Sequence, residues 1–353
     1  MPRRPPGIRG RGAAANPAGR FERRAFVPDP EAADPDGPLP RTQVLKDSAR
    51  TVIATNESPD LGFSASLNPY RGCEHGCAYC YARPYHEYLG FSAGLDFETK
   101  ILVKEDAAAL LRSELASPRW TPRVLALSGV TDPYQPLERR LRLTRACLEV
   151  LAEFRNPVAV VTKNHLVTRD LDLLSELARR GAAAVLLSLT TLDPALAGSM
   201  EPRTSVPARR LDAIRALSAA GVPVGVNVAP VVPGLTDHEI PSILVAARDA
   251  GASFAAHAML RLPHGVKDLF RDWLERAVPH RARKVLERVR EVRGGRLNDP
   301  RFGTRMTGEG VYARQVAALF DHARRKAGLQ GEAPGLSVRS FRLPPGPQLT
   351  LFP

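Results

Sequence analysis

Five short runs of apolar and β-branched residues recur through the middle of the chain, and each is followed by a segment whose apolar side chains have helical spacing. The runs lie at residues 123–129, 157–163, 183–191, 222–234 and 252–260. Continuous apolar strands that alternate with helices are typical of a parallel sheet covered by helices. With one earlier strand leading into a cysteine-rich loop, the pattern predicts an α/β fold of about six strand–helix units. A partial barrel and an open, doubly wound sheet would both produce it.

Small and polar residues stand where these strands end. In both arrangements, ligands bind at the carboxyl ends of parallel strands, so these residues are candidates for a binding site. Small side chains allow a ligand to approach the backbone closely, as at the second strand end. The candidates are Ser128, Gly129, Thr131, Asp132, Lys163, Ser188 and Asn227.

Three of the four cysteines lie close together in RGCEHGCAYCYARPY (71–85), at the spacing C-x3-C-x2-C. No apolar run approaches the roughly 20 residues of a membrane span. The basic N-terminus is not followed by the apolar segment of an export signal. We therefore expect a cytoplasmic protein with reduced thiols, in which Cys73, Cys77 and Cys80 bind a metal or a cluster.

Two other uses of these thiols have to be weighed. A disulfide would leave one thiol of the cluster unpaired. A structural zinc site closes with four ligands and would need one more, from His75, His86 or Cys147. Cys147 lies in a segment with helical spacing, where a free cysteine is usually a small buried apolar residue.

An iron–sulfur cluster explains why three cysteines suffice. Thiolates bind such clusters as well as zinc, and three of them leave one of four irons with an open position. The spacing, with Tyr79 directly before the last cysteine, resembles the motif of the radical S-adenosylmethionine (SAM) enzymes. The resemblance implies a partial (β/α)6 barrel that holds a [4Fe-4S] cluster on Cys73, Cys77 and Cys80. It also implies SAM on the open iron, cleaved reductively to a 5′-deoxyadenosyl radical.

Further segments narrow the resemblance. NPYRGCEHGCAYCYAR, TDPYQPLE, VTKNHLVTRDLDLL, SLTTLD, MEPRTSVPARRLDAI and APVVPGLTD are similar to the radical SAM subgroup related to spore photoproduct lyase, which reverses a thymine dimer lesion. The similarity extends over roughly residues 60–325. It suggests DNA as a partner and an electron donor such as flavodoxin or ferredoxin. It establishes neither the lesion nor DNA as the substrate.

The family also suggests roles for the strand-end residues. Thr131 and Asp132 stand where the family contacts the amino group of SAM, although its usual Gly-Gly-Glu is missing here. A lysine at a strand end is commonly solvated, and the alternative is that the cationic head of Lys163 pairs with the SAM carboxylate. Ser188 and Asn227 would contact the ribose or methionine part.

The segment MEPR (200–203) has two interpretations. Glu201 and Arg203 would either bind SAM groups or form an ion pair within their own loop. The residues alone do not separate these alternatives.

Positive charge is concentrated in two segments of a chain whose formal net charge is +13. The first 24 residues carry seven arginines and one glutamate among many prolines and glycines, and residues 271–305 carry ten arginines and one lysine against five acids. Both segments fit contacts to phosphates, and the alternative is solvated helix faces. Aromatic residues make up only 6% of the chain, so the sequence shows no obvious base-stacking platform.

The sequence is thus divided into four parts. Residues 1–45 are predicted to be a disordered basic arm, 46–265 the core, 266–328 a helical extension and 329–353 a disordered tail. The tail ends in a segment that resembles the motif by which repair proteins bind the bacterial sliding clamp, with the residues Gln348, Leu349, Leu351 and Phe352. The function predicted is a radical SAM enzyme acting on DNA. The alternatives are a radical modifier of a peptide or cofactor, and a non-catalytic nucleic-acid-binding iron–sulfur protein.

Overall fold

The structure is a computed structural model that describes residues 7–21 and 40–344. In chain order its strands are β1 (Gln43–Lys46), β2 (Ile53–Thr55), β3 (Ala65–Leu67), β4 (Tyr70–Arg71), β5 (Lys100–Val103), β6 (Leu125–Leu127), β7 (Val158–Thr162), β8 (Ala183–Ser188), β9 (Val224–Val231) and β10 (Phe254–Met259). The helices are α1 (Leu95–Thr99), α2 (Ala107–Ala116), α3 (Glu138–Leu141), α4 (Leu143–Phe154), α5 (Leu171–Ala178), α6 (Pro194–Met200), α7 (Pro207–Ala219), α8 (Ile240–Asp249), α9 (Val266–Ala277), α10 (Pro279–Glu291), α11 (Thr304–Thr307) and α12 (Gly310–Lys326). Among these described residues, no helix is long and apolar enough to cross a membrane.

Six of the strands form the parallel sheet that the apolar runs predict. The order across the sheet is β10-β9-β8-β7-β6-β3, and β2 adds an antiparallel edge strand beside β3. Neighbouring strands in this series follow one another in the chain and are connected by helices. The chain thus forms the partial barrel of βα units, and the prediction of an α/β fold with about six units is confirmed.

The two faces of the sheet differ in burial. Val160, Leu187 and Val226 are fully buried in the apolar core between the sheet and the surrounding helices. The next residues along these strands alternate to the other face, where Val161 and Leu186 are only half-buried. The concave face of the barrel is therefore open to water and can admit a ligand.

A second, three-stranded sheet in the order β1-β5-β4 supports the loop that carries the cysteines. β4 enters this loop and pairs antiparallel with β5. The 3-10 helix Arg83–Leu89 follows the last cysteine. The cysteine loop is therefore anchored at both ends by regular structure.

The N-terminal segment, residues 7–21, does not follow the prediction of a disordered arm. Ala13 is buried, and its backbone N–H donates to Glu98 Oε1 at 2.9 Å. The N–H of Gly12 donates to Glu98 Oε2 at 3.1 Å. A side chain at Gly12 would collide with the carbonyl of Gly76. This part of the predicted arm is thus packed against the cysteine loop, and the bounds of the arm stay a prediction.

The described part of the tail, residues 329–344, also makes defined contacts. Ser337 N–H donates to the carbonyl of Gly181 at 2.8 Å, and Arg342 N–H donates to that of Phe154 at 2.9 Å. The tail up to residue 344 therefore lies against the barrel, and the bounds of the predicted disordered tail stay a prediction. The clamp-like residues lie outside the described residues, so clamp binding stays a prediction for Gln348, Leu349, Leu351 and Phe352.

The contact between Glu98 and Arg83 generates the first testable prediction. Both side chains are fully buried, with Arg83 Nη2 and Glu98 Oε1 at 2.5 Å. Removing one partner leaves the other charge buried and uncompensated, which typically costs about 3–5 kcal/mol. Glu98→Ala should lower the free energy of unfolding by this amount, measured by anaerobic urea denaturation. The matched control is Glu105→Ala, since Glu105 and Lys46 form an exposed pair worth about 0–1 kcal/mol. Equal effects of the two substitutions would contradict the prediction.

Candidate active site at the cysteine loop

The three clustered cysteines lie at the end of the barrel where the parallel strands terminate. Cys73 and Cys77 are buried and Cys80 is partly exposed. The backbone N–H of Cys73 donates to the carbonyl of Phe97 at 2.9 Å. The carbonyl of Cys77 accepts from Arg83 Nε and Nη2 at 3.1 and 2.9 Å. The loop is thus held by side-chain and backbone contacts that do not use its thiols.

The chemistry of the three thiols fits an iron–sulfur cluster, since thiolates are the ligands that such clusters take. In residues 7–21 and 40–344, no three His, Cys, Asp or Glu side chains converge closely enough to hold one metal ion. A four-iron cluster requires less convergence, because each thiolate binds a different iron. Burial raises the pKa of Cys73 and Cys77, and the other thiols and a nearby carboxylate act in the same direction. A bound cation offsets this effect, since it favours the thiolate that ligates it.

Two of the three candidates for the additional ligand that zinc would need, His75 and Cys147, are engaged elsewhere, whereas the buried Nε2 of His86 has no hydrogen-bond partner among the described residues. His75 contacts Asp132 through Nδ1 at 3.3 Å and Asn164 through Nε2 at 3.2 Å. The ring of His86 packs against two phenylalanines, and burial lowers its pKa to about 4. Cys147 is fully buried in the core on α4 and burial raises its pKa to about 12. The prediction that Cys147 is a core residue is therefore supported by its position.

Asp132 connects the strand ends to the cysteine loop. Its Oδ1 accepts from Tyr134 N–H at 2.9 Å and from Thr162 Oγ1 at 2.7 Å. Its Oδ2 accepts from Lys163 N–H at 2.8 Å and faces His75. Burial alone would raise the pKa of this carboxyl, but His75 and these hydrogen bonds outweigh burial and lower the pKa to about 2.

The four contacts use about all the acceptor positions that one carboxylate has. The neighbouring Thr131 is also occupied, since its Oγ1 donates to the carbonyl of Tyr70 at 3.1 Å. Both residues hold the loop in place in this structure. Their contact with the amino group of SAM stays a prediction.

Ser128 and Gly129 bring the backbone after β6 close to the cysteine loop. Both have positive φ, 142° and 100°, a region that strongly favours glycine. Ser128 Oγ donates to the carbonyl of Thr131 at 3.3 Å, and the carbonyl of Gly129 accepts from Tyr81 OH at 2.8 Å. The backbone here thus contacts the residue that follows Cys80, and its close approach to a ligand stays a prediction.

Lys163, Ser188 and Asn227 line up across three neighbouring strands. Ser188 is paired directly with Asn227, and Lys163 follows the pair Thr162–Leu187 in the same register. Because side chains alternate along a strand, these three point to the concave face of the barrel. Lys163 Nζ donates to the carbonyl of Ala229 at 3.3 Å and lies 5.9 Å from the ring centre of Tyr79. The structure thus brings together one cation and two polar groups beside the cysteine loop.

A buried carboxylate lies behind Tyr79. Glu201 accepts hydrogen bonds from the Tyr79 hydroxyl and from Thr190 Oγ1, and forms an ion pair with Arg210. Burial raises the pKa of Glu201, but Arg210 and Lys163 outweigh it and lower the pKa to about 2. The Tyr79 hydroxyl is therefore committed to Glu201, and its ring faces Lys163.

Arg210 is the residue of this network that sequence reasoning missed. It lies within a helical pattern, where an arginine is usually solvated, and nothing in its spacing indicates full burial. Its Nη1 donates to the carbonyl of Ser188 at 2.9 Å. Arg203 pairs with Glu74 at 3.0 Å between two loops. The structure thus shows ion pairs for both Glu201 and Arg203. Their partners, Arg210 and Glu74, lie outside 200–203, so these pairs differ from the ion pair expected within the loop. Contact with SAM stays a prediction.

The family follows from comparison with known proteins. The model of the radical SAM superfamily matches residues 67–247, just over half of the chain. The chain belongs to the radical SAM superfamily. An uncharacterized protein of Mycobacterium tuberculosis is 40% identical to this radical SAM protein over 244 residues, 68% of the chain and 71% of the relative. One of Methanocaldococcus jannaschii is 27% identical over 199 residues, 56% of the chain and 71% of the relative.

Solved structures share the fold of this radical SAM protein. A mutant of spore photoproduct lyase matches with a TM-score of 0.54 at 16% identity, over 81% of this chain and 79% of the other. A second mutant matches with a TM-score of 0.52 at 18% identity, over 80% and 78% of the two chains. The prediction of a radical SAM protein with a fold similar to that enzyme is confirmed.

Membership of the family implies a [4Fe-4S] cluster and SAM as cofactors, and the residues at the cysteine loop fit them. Cys73, Cys77 and Cys80 would hold the cluster, which would supply the one-electron reductive chemistry that the family performs on SAM. The chain contributes three thiols on a fixed loop. It also contributes Lys163, Ser188 and Asn227 on the concave face, which we name the polar row. Because the chain belongs to a superfamily of catalysts, the protein is an enzyme.

The second prediction concerns the thiols. Cys73→Ala, Cys77→Ala and Cys80→Ala should each remove most of the bound iron, because each deletes one ligand of the cluster. The measurement is iron content and the visible absorption of the anaerobically reconstituted protein. Cys147→Ala is the control and should retain the cluster, since Cys147 lies in the core on α4. Equal loss of iron in the control would indicate a four-ligand site instead.

Proposed function

We propose that this radical SAM enzyme acts on DNA, in a reaction of the spore photoproduct lyase type. The observation that carries the proposal is exposed positive charge beside the open end of a barrel whose fold is that of the lyase. The name of the lyase describes its own substrate, and fold similarity at 16–18% identity is only support for a similar one here.

We assign roles within this proposal as follows. Cys73, Cys77 and Cys80 ligate the cluster. Lys163 provides the cation that faces the SAM carboxylate, and its hydrogen bond to the carbonyl of Ala229 limits where its head can lie. A hydrogen bond of this kind to a charged group is worth about 1.5–3 kcal/mol.

The remaining proposed contacts come from the polar row and from the loop after β6. Ser188 and Asn227 lie next to Lys163 and present their side chains to the ribose or methionine part of SAM. The other proposed contacts of SAM are Tyr79, Ser128 and Gly129, which lie near the cysteines. An acidic protein such as flavodoxin or ferredoxin would supply the electron.

The charge of the tract 271–305 is less available than the sequence suggests. Most of its arginines form ion pairs, as Arg288 does with Glu291 at 2.6 Å, and Arg293 is buried against carbonyl groups. Among the described residues, the exposed members of the tract without a carboxylate partner are Arg281, Lys284, Arg290 and Arg296. All four are exposed. They are the members of the tract that can bind phosphate groups without breaking an internal pair.

The position of α10 puts part of this charge at the open end of the barrel. Gly234 follows the carboxyl end of β9, and a side chain there would touch Arg288 and approach Lys284. α10 is thus adjacent to the strand ends that carry the polar row. DNA bound along α10 would be close to the cysteine loop.

The third prediction tests the substrate. The reduced, cluster-loaded protein should release 5′-deoxyadenosine faster with ultraviolet-irradiated DNA than with the same DNA left unirradiated, and the DNA should change in mass. The measurement is anaerobic turnover followed by liquid chromatography with mass spectrometry. If SAM is cleaved but neither DNA alters the rate or the product, a peptide or cofactor substrate replaces DNA in the proposal. If SAM is not cleaved at all, the non-catalytic alternative is favoured.

The fourth prediction tests the surface of α10. Arg281→Ala combined with Lys284→Ala removes two phosphate contacts, so the slope of log K against log salt for duplex DNA should become less steep by about two. Arg325→Ala combined with Lys326→Ala is the charge-matched control. Arg325 and Lys326 lie at the end of α12, and Gly331, which follows shortly after, forms a bridge with Phe254, the first residue of β10. The control residues therefore lie near the beginning of β10. A larger change of this slope in the control variant would show that α10 is not part of the DNA-binding surface.

A further inference from the structure

Four exposed aromatic rings are grouped next to the cysteine loop. Tyr81, Tyr85 and Tyr88 are 41%, 54% and 68% exposed, and Phe21 is 57% exposed. Burying such rings is favourable, and a contiguous group of them left in water indicates an interaction surface. We name these four residues the aromatic row.

The row leads outward from the active site. Tyr81 directly follows the cluster cysteine Cys80, and its hydroxyl is fixed to the carbonyl of Gly129 at the end of β6. Tyr85 and Tyr88 follow on the 3-10 helix Arg83–Leu89, with ring centres 6.5 Å apart. The ring of Phe21 lies 5.0 Å beyond Tyr88.

The rings of Tyr88 and Phe21, at the outer end of the row, are held in position by a defined contact. Glu87, on the same 3-10 helix, accepts from the backbone N–H of Arg20 at 3.2 Å and from its Nε at 2.6 Å. This pair attaches the N-terminal segment to the helix and sets Phe21 beside Tyr88. The carboxylate of Glu87 is itself buried. The surface of the row therefore carries no free negative charge from this residue.

Positive charge accompanies the rings. The guanidinium carbon of Arg20 lies 4.9 Å from the ring centre of Phe21 and 5.7 Å from that of Tyr88. Arg261 lies 5.3 Å from the ring centre of Tyr81. Asp60, an acid near Arg261, is paired with Arg305 at 2.6 Å. Rings interleaved with arginines, with the nearby acids neutralised, are complementary to a polyanion with aromatic faces.

We propose that the aromatic row is a stacking platform for an unpaired stretch of nucleic acid. Bases would lie on Tyr85, Tyr88 and Phe21, and a phosphate would face Arg261, since Arg20 is already paired with Glu87. Aromatic stacking accepts any base, because every base has a flat π-face. The platform would place the strand so that the next nucleotide reaches the barrel at Tyr81. This inference rests on the proposed DNA substrate and adds that the DNA is unpaired beside the active site.

The test is binding of fluorescein-labelled oligothymidylate of about 12 nucleotides, followed by anisotropy on the anaerobic, cluster-loaded full chain. Tyr85→Ala combined with Tyr88→Ala should weaken binding by at least about tenfold, since each stacked base contributes roughly a five- to hundredfold factor. Tyr85→Phe combined with Tyr88→Phe keeps both rings and should bind like the original protein. Leu343→Ala is the control for exposure, because Leu343 is 62% exposed and lies on the tail instead. Iron content shows whether each variant still folds around its cluster.

The outcomes separate this inference from the substrate proposal. If the original protein binds neither the oligothymidylate nor a duplex of the same length, DNA is not the substrate and the row has another use. If it binds the oligothymidylate and the double alanine variant binds equally well, DNA stands and the platform is wrong. If the alanine variant keeps its DNA affinity but is reduced more slowly by flavodoxin, the row is a docking surface for the electron donor. Loss of affinity in the alanine variant, restored in the phenylalanine variant, supports the platform.

Discussion

The guanidinium of Arg83 fixes the geometry of the cysteine loop. It is fully buried, and Nε and Nη2 both donate to the carbonyl of Cys77. Nη1 donates to the carbonyls of Ala93 and Gly94 at 3.1 and 2.9 Å, and Nη2 also donates to Glu98. These contacts use all five donors of an arginine, whereas a lysine offers three donors without a planar arrangement. A buried ion pair gains little over apolar packing, so we infer that this one serves to specify a single loop conformation.

The overall fold and the line of polar residues were predictable because they follow from short-range patterns. Continuous apolar runs imply a parallel sheet, and the carboxyl ends of such strands meet at one end. Lys163, Ser188 and Asn227 are consequently adjacent in the structure, although they are far apart in the sequence. The motif of the three cysteines is equally local, so the family could be identified from one loop and its surroundings.

What sequence reasoning missed depends on contacts between distant residues. The N-terminal segment has the composition of a disordered arm, and it is ordered because Gly12 and Ala13 donate to Glu98, 86 and 85 residues away. Arg210 is buried because Glu201 neutralises it, and neither residue reveals the other in the sequence. A low aromatic content likewise says nothing about where the rings lie, and here four of them gather at one place. Composition describes a chain on average, whereas sites depend on position.

The N-terminal segment contacts both the elements that hold the cysteine loop and the outer end of the aromatic row. At Gly12 and Ala13 it contacts Glu98, which also holds Arg83 and thus the loop of the cluster cysteines. Several residues later, Arg20 binds Glu87 and sets the outer end of the aromatic row. Arg83 and Glu87 lie on the same short 3-10 helix. In the proposed function, a strand bound on the aromatic row would therefore contact the helix whose Arg83 holds the cysteine loop, and the N-terminal segment contacts both parts.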